Sequence, residues 1–366
     1  MREIDELLDL CRYAGSGPDI AQGAGGNVSV KSPDGSMWIK ASGYRLSAVR
    51  PGVGYLGMRT PKASDLAHSV QGLEPAAANI SMSSFLQSLV FDSTNLRPSL
   101  ETWFHAVLGR VVLHTHPIYA NAFACMEGGR EALESVLPSP VASVEYEAPG
   151  HRLGEAVGRA AVSFSRQEGR EPVRLILDNH GLITVADTVT SAIARSAEIL
   201  DAGRQFFGPL PKGSFAPAIH RPHLERYAED FSRELAEAGL PYVARPARFE
   251  RLHRAAQDPD TQFSPIVPDD VVCNGPAILT ADDSQPIRKA AAILAEGVGF
   301  IFVAGSEAMI QAMEEQLVAN VLTRELIARR GVCRSLKQSD IAELLAMESE
   351  KHRQQVLASG GNQCRS

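Results

Sequence analysis

The segment Val111-Val112-Leu113-His114-Thr115-His116-Pro117 constrains the fold more tightly than any other stretch of the 366 residues. An apolar, partly β-branched run leads into a His-x-His pair, and the run from Arg110 to Thr115 reads as a strand. Side chains two apart on a strand leave the same face of the sheet, so His114 and His116 must project together. Such a pair is either two satisfied core histidines or the beginning of a ligand set. His180 bears on that choice. It sits in LILDNHGLITV, at a turn between two apolar strands, where a sheet can carry it beside the first pair despite the distance in sequence. Three neutral imidazoles leave zinc an open coordination position, which is the arrangement of a catalytic site and not of a closed structural one. Imidazole also suits cobalt, iron and nickel, so another divalent transition metal fits the same donors.

Around this segment the chain alternates helical and extended patterns. Ile4, Leu7, Leu8 and Cys11 are spaced for one amphipathic helix that stops at Gly15 and Gly17. AQGAGGNVSVK and MWIKASG read as two strands joined through Ser32-Pro33-Asp34-Gly35. Arg50 to Glu74 shows no assignable period, and regular structure resumes near Leu100. Beyond it the pattern predicts helices over Ile118–Met126, Leu153–Ser165 and Thr190–Phe207, and strands near Ala142–Tyr146, Val173–Leu177 and Leu182–Val185. PLPKGSFAPAIHRP then denies the chain both helix and ladder bonds and marks a boundary between two units, 1–210 and 215–366. In the second unit, Leu224, Tyr227, Phe231 and Leu235 mark a helix, VVCNGPAILT and GVGFIFVAG read as buried strands, and two apolar-faced helices follow, the first closed by Gly331.

Charge and cysteine usage narrow the function classes. A net charge of -7 offers no basic footprint for nucleic acid. No apolar run approaches the ~20 residues that cross a bilayer, and MREIDELLDLCRY is too acidic for a signal peptide, so a soluble cytoplasmic protein is expected. The five cysteines are scattered without a C-x-x-C pair, which signals neither a disulfide framework nor a thiolate zinc site; packing is the expected role, with Cys364 in a frayed tail.

Two more features carry chemistry. Glu101, in RPSLETWFH, opens the helix that precedes the His-x-His strand; beside a divalent cation a carboxylate serves as ligand, as general base, or as both in turn. Taken alone it is equally an acid that favours a helix N-terminus. His105, four residues on, reads as a packing or supporting histidine. The glycine-rich AGGNVSVK and the Ser42-Gly43 turn expose backbone N–H groups, with the Asn27 and Ser42 side chains beside them, and such loops cradle anions, although most are simply tight turns.

In this order and spacing, GGNVSVK, IKASG, PSLE, HTHP and NHGLITV resemble the class II aldolase/adducin family over residues 1 to about 210. PSLETWFHA with HTHP is most similar to the aldolase portion of fused rhamnulose-phosphate aldolase/dehydrogenase proteins. The resemblance implies an α/β fold with a three-layer α/β/α domain on a mostly antiparallel sheet, followed here by a smaller C-terminal α/β unit of unassigned role. It further implies a homotetramer, zinc on His114, His116 and His180, and Glu101 as the acid/base residue. Asn27, Ser42, Gly43 and Ser99 match the phosphate-binding positions. Leu100 stands where the family has a second hydroxyl residue, which weakens a sugar-phosphate assignment, and Tyr119 and Tyr146 are the candidates for a proton-donating tyrosine. The implied activity is aldol cleavage or formation of a small hydroxy-carbonyl compound, a ketose 1-phosphate among the candidates, in carbohydrate metabolism. Decarboxylation, epimerisation or dehydration at the same metal, or an adducin-like interaction module without catalysis, are the alternatives.

Overall fold

A computed structural model of the chain describes residues 2–92, 95–280, 290–295 and 297–347. Its first part is α1 (Arg2–Ala14), the hairpin β1 (Asn27–Lys31) and β2 (Ser36–Lys40), β3 (Tyr55–Arg59), α2 (Ala63–Val70), α3 (Pro75–Ser88), α4 (Thr102–Val107) and β4 (Val111–Thr115). After it come α5 (Ile118–Ala124), α6 (Gly129–Val136), β5 (Ala142–Val144), α7 (His151–Glu168), β6 (Arg174–Leu177), β7 (Gly181–Ala186) and α8 (Val189–Phe207). The remainder is α9 (Pro222–Glu237), β8 (Val243–Pro246), α10 (Glu250–Ala255), α11 (Pro268–Asn274), β9 (Leu279–Thr280), β10 (Ala291–Ala295), β11 (Gly299–Ala304), α12 (Glu307–Ala328) and α13 (Gln338–Ala346).

The first seven strands form one sheet in the order β3-β2-β1-β4-β7-β6-β5, antiparallel at every step except β5 with β6. Strand alternation sends Val111 and Leu113 to one face, where they meet Leu7, Leu10 and Cys11 of α1 and Ala192 of α8. Val112 points the other way, into Phe104 of α4 and Leu153 and Val157 of α7. The result is the three-layer α/β/α arrangement expected. Because β1 and β7 both run against β4, the start of β1, the end of β4 and the start of β7 lie at one end of the sheet. Asn27 pairs with His114 and Leu182 with Thr115 there.

The smaller sheet is ordered β8-β11-β10-β9 and packs with α9, α10 and α12. A single apolar cluster runs from Ile118 and Phe123 of α5 and Ile199 of α8 into Phe300 and Phe302 of β11 and Met313 and Leu317 of α12. Glu250 ties the proline-rich connection to this region: its carboxylate accepts from both Arg221 terminal nitrogens at 2.9 and 3.0 Å and from the Ile219 N–H at 3.0 Å. The Arg221 hydrogen bonds outweigh burial and hold the Glu250 carboxyl down at about 2, against an ordinary 4.5. A depressed carboxyl stabilises the fold fully above its unfolded value and loses that contribution as pH falls toward the folded one. Between about pH 5 and pH 3 the wild type is therefore expected to lose more thermal stability than Glu250→Gln, by at most about 3 kcal/mol. Parallel melting-temperature curves for the two proteins would remove this role.

Three sequence expectations need correction. The stretch without assignable period holds β3 and α2, and α3 follows before Leu100. In α3 only Ala78, Met82 and Leu86 are buried, a stripe one residue wide among alanines and serines that gives little helical signal. VVCNGPAILT is not one buried strand: Val271 to Asn274 belong to α11, and only Leu279 and Thr280 are extended. Pro268 in the first turn and the Asp270 carboxylate, which takes the Ile266 and Val267 N–H groups at 2.8 and 3.1 Å, start a helix that β-branched Val271 and Val272 mask. The last helical residue before the Gly331 region is also capped earlier, at Arg329. Cys11 and Cys125 are buried free thiols and Cys273 is buried, whereas Cys364 lies outside the described residues.

Candidate metal centre

The four sequence-nominated donors meet at that end of the large sheet. Glu101, His114, His116 and His180 each offer one atom, and these atoms all lie within 4.8 Å of one another. His114 is the penultimate residue of β4, and His116 stands just past the strand, which ends at Thr115. Their Nε2 atoms are 3.0 Å apart. His180 is the last residue of the β6–β7 turn, and its Nε2 is 3.6 Å from Glu101 Oε1, which is in turn 3.4 Å from His114 Nε2. Asn179 makes that turn possible: it adopts φ 50°, which a short polar side chain tolerates. Its amide donates to the carbonyls of Ile266 and Arg334 at 2.8 and 2.9 Å.

Tautomers decide what these rings face. His114 Nδ1 lies 3.0 Å from the Leu182 carbonyl, an acceptor only, so Nδ1 carries the proton and donates. His116 Nδ1 lies 3.0 Å from the Asp269 carboxylate and donates likewise. With Nδ1 protonated on each ring, the two Nε2 atoms face each other at 3.0 Å, a distance at which bare lone pairs repel and a proton or a cation between them attracts both. Burial pulls His180 down to about 4, and the neighbouring imidazoles add to that pull against the Glu101 hydrogen bond, so its ring is neutral near pH 7. Burial would raise the Glu101 carboxyl, but attraction to His114 and the hydrogen bonds of His114 and His180 overcome it and hold Glu101 well below the carboxylate range. Three imidazole nitrogens and a carboxylate oxygen within 4.8 Å of one another fit a divalent cation with its usual nitrogen and oxygen donors.

A cavity opens beside the cluster, lined among others by Asn27, Ser42, Gly43, Ser99, Glu101 and His180. All four residues matched to phosphate-binding positions therefore face it. Asn27 uses its carbonyl oxygen on the Val28 N–H at 2.8 Å, and its buried Nδ2 has no hydrogen-bond partner among the described residues. Ser99 Oγ accepts from the Glu101 N–H at 3.2 Å and so orients the acid. Leu100 also lines the cavity and brings no hydroxyl. Tyr119 is engaged elsewhere, donating to the Gly208 carbonyl and accepting from the Leu210 N–H, while Tyr146 packs with the cluster around Met37, Leu66 and Leu344. His105 is fully buried, with Nδ1 2.8 Å from Ser29 Oγ, a supporting role.

Two cavity residues escaped the sequence reading, Lys40 and Asp269. Lys40 is buried beneath the IKASG turn, with Nζ donating to the Tyr44 carbonyl at 2.8 Å and reaching Ala24 and Ala41 carbonyls at 3.4 Å. Its place in IKASG, beside the nominated Ser42, was the available signal. Asp269 comes from α11, and nothing around it in sequence points to a histidine 153 positions away.

Comparison with known proteins follows the same lines. Residues 5–205 match the family described as Class II Aldolase and Adducin N-terminal domain. Uncharacterized oxidoreductase YuxG of Bacillus subtilis strain 168 is 24% identical over 212 residues, 56% of this chain. The matched part is 29% of that relative's length, so the chain spans under a third of it. Among solved structures, the N-terminal class II aldolase domain of a Thermoplasma acidophilum protein is 25% identical, with TM-score 0.46, covering 56% of this chain and 93% of that one. A sugar-phosphate aldolase from Thermotoga maritima is 16% identical, with TM-score 0.42, covering 58% and 98%. Among the described residues no helix is long and apolar enough to cross a membrane.

Proposed function

The chain belongs to the class II aldolase and adducin family, and on that footing we propose that it is a metal-dependent aldehyde-lyase, with zinc the first candidate for its ion. The reaction is reversible aldol cleavage of a small hydroxy-carbonyl compound, a ketose 1-phosphate being the leading substrate class. A homotetrameric, cytoplasmic enzyme of carbohydrate metabolism is part of the same proposal. One observation carries it: three imidazole nitrogens converge with a carboxylate beside a cavity lined by Asn27, Ser42, Gly43 and Ser99. A scaffold without catalysis has no need of four such donors together, which weighs against the adducin-like alternative.

His114, His116 and His180 would hold the ion, with Glu101 at its side. When bound, a divalent cation supplies Lewis-acid stabilisation of negative charge on a substrate oxygen. The remaining work falls to the chain's own groups. Glu101, its carboxyl held well below the carboxylate range beside His114, would take a proton from the substrate and return it to the carbon where the bond has broken. Asn27, whose Nδ2 has no hydrogen-bond partner among the described residues, would with Ser42, Ser99 and the Gly43 backbone receive an anionic group in the cavity they line, with Lys40 beneath them. Burial of the rings keeps bulk water from the reacting atoms.

Protein purified without added metal is expected to carry about one divalent ion per chain. Incubated with a panel of ketose 1-phosphates and unphosphorylated hydroxy-carbonyl compounds, it is expected to release an aldehyde and a three-carbon or shorter hydroxy-carbonyl fragment. Carbon dioxide, an epimer or a dehydrated product in their place moves the assignment to the corresponding alternative; protein with neither metal nor turnover returns it to an interaction module.

A further inference from the structure

Asp269 lies outside residues 5–205, which match the family, yet its carboxylate is in contact with a nominated ligand ring. We propose that Asp269 is the positioning residue for His116, so that the C-terminal unit itself sets how tightly the centre holds its ion. The inference rests on the metal-centre reading given above and extends it to a part of the chain to which no role was assigned.

Several residues around the contact hold it in place. Asp269 Oδ2 and His116 Nδ1 are 3.0 Å apart, and both side chains are about 4% exposed. A buried carboxylate held against Nδ1 keeps the proton there, which leaves the Nε2 lone pair for a cation and fixes the plane of the ring. Gly25 supplies the gap through which the carboxylate reaches the ring: a Cβ at that position would stand 2.4 Å from Asp269 Oδ2 and 2.9 Å from His116 Nδ1. Its φ is not positive, so close approach and not backbone conformation calls for glycine here, and the Gln22 carbonyl oxygen, 3.0 Å from that Cβ, adds to the crowding. Asp270, next along α11, is bound from inside the C-terminal unit. It accepts from Gln316 and Asn320 side chains of α12, each at 2.8 Å, as well as from the two N–H groups that precede the helix. One acid anchors the helix to α12 while its neighbour turns toward the histidine. Glu315 of α12 grips the glycine loop from the same side, taking the Gly23 N–H at 3.0 Å and Arg45 at 2.5 Å. His180 offers the contrast, for its Nδ1 is buried with no partner among the described residues.

The test uses the full-length chain stripped of metal and titrated with cobalt(II) in competition with a chromophoric chelator. Supporting carboxylates of ligand histidines typically contribute 10–100-fold in affinity. Asp269→Ala is expected to weaken cobalt binding by about that factor and to change the cobalt visible spectrum, because His116 no longer presents Nε2 in a fixed plane. Asp269→Asn retains shape and an acceptor but not charge, and is expected to fall between the alanine variant and wild type. Gly25→Ala, which leaves both partners in the chain and separates them, is expected to show the same direction of change. Thermal unfolding of the metal-free Asp269→Asn protein separates loss of a contact from loss of the fold. If the two Asp269 variants bind cobalt with wild-type affinity and spectrum, Asp269 has no such role even though the metal centre stands. A wild-type chain that takes up no cobalt overturns the metal centre itself.

Discussion

Replacement of His114 by alanine is expected to leave protein that carries little metal and turns over substrate about 10³-fold or more slowly than wild type, the largest single effect foreseen for this chain. His114 takes part in the two shortest contacts among the four donors. Its Nε2 lies 3.0 Å from His116 Nε2 and 3.4 Å from Glu101, and its Nδ1–H is fixed by the Leu182 carbonyl of the neighbouring strand. With that ring gone, only His116 and His180 remain as nitrogen donors, and an ion could complete three protein ligands only by taking Glu101 as the third, which would remove that carboxylate from proton transfer. The fold should survive, because Asn27 and Ile183 still pair with position 114 through the backbone. The cost to metal-free stability is that of an unpaired Leu182 carbonyl, roughly 1–3 kcal/mol. Metal analysis and product formation on the same preparation check both halves; near-normal turnover after exhaustive chelation would sink the metal-dependent reading.

Glu101→Gln is expected to separate binding from chemistry. The three imidazoles are untouched, so the variant should retain its ion, while turnover falls about 10²–10⁴-fold because an amide cannot accept the proton. The same substitution removes the negative charge that faces His114 and His180 at 3.4 and 3.6 Å. The acid limb of the wild-type pH–rate profile, set by protonation of this carboxyl, should disappear from the residual activity. Metal content like that of wild type together with turnover lowered only a few-fold would show that another group moves the proton.

The centre was legible in sequence because its geometry is written in short-range terms. His114 and His116 are placed by strand alternation, His180 by a turn between apolar runs, and Glu101 by its position before a helix, and each of these needs only a few neighbouring residues to be read. The layered sheet was legible for the same reason: β4, β6, β7 and α8 have strong periods. What escaped depends on partners far along the chain. Asp269 and Asp270 are adjacent acids in one short helix, and their separate tasks follow from which side of α11 meets His116 and which meets Gln316 and Asn320. Lys40 looks like any strand-ending lysine until the Tyr44 carbonyl and the cavity are in place around it. In α2 and α3 the buried stripe is too narrow, and in α11 the paired valines favour the wrong state.

The antiparallel ladder between β4 and β7 has one more implication. His114 and Leu113 occupy successive places on the same strand, the imidazole on the α4 side and the leucine among α1 and α8. Sliding β4 by a single residue would exchange them, driving a polar ring into oil and an isobutyl group into the ion's place. Folding to the wrong pairing therefore forfeits packing and the histidine cluster in one stroke, and the hydrophobic layers on either side act as proofreaders for that end of the sheet.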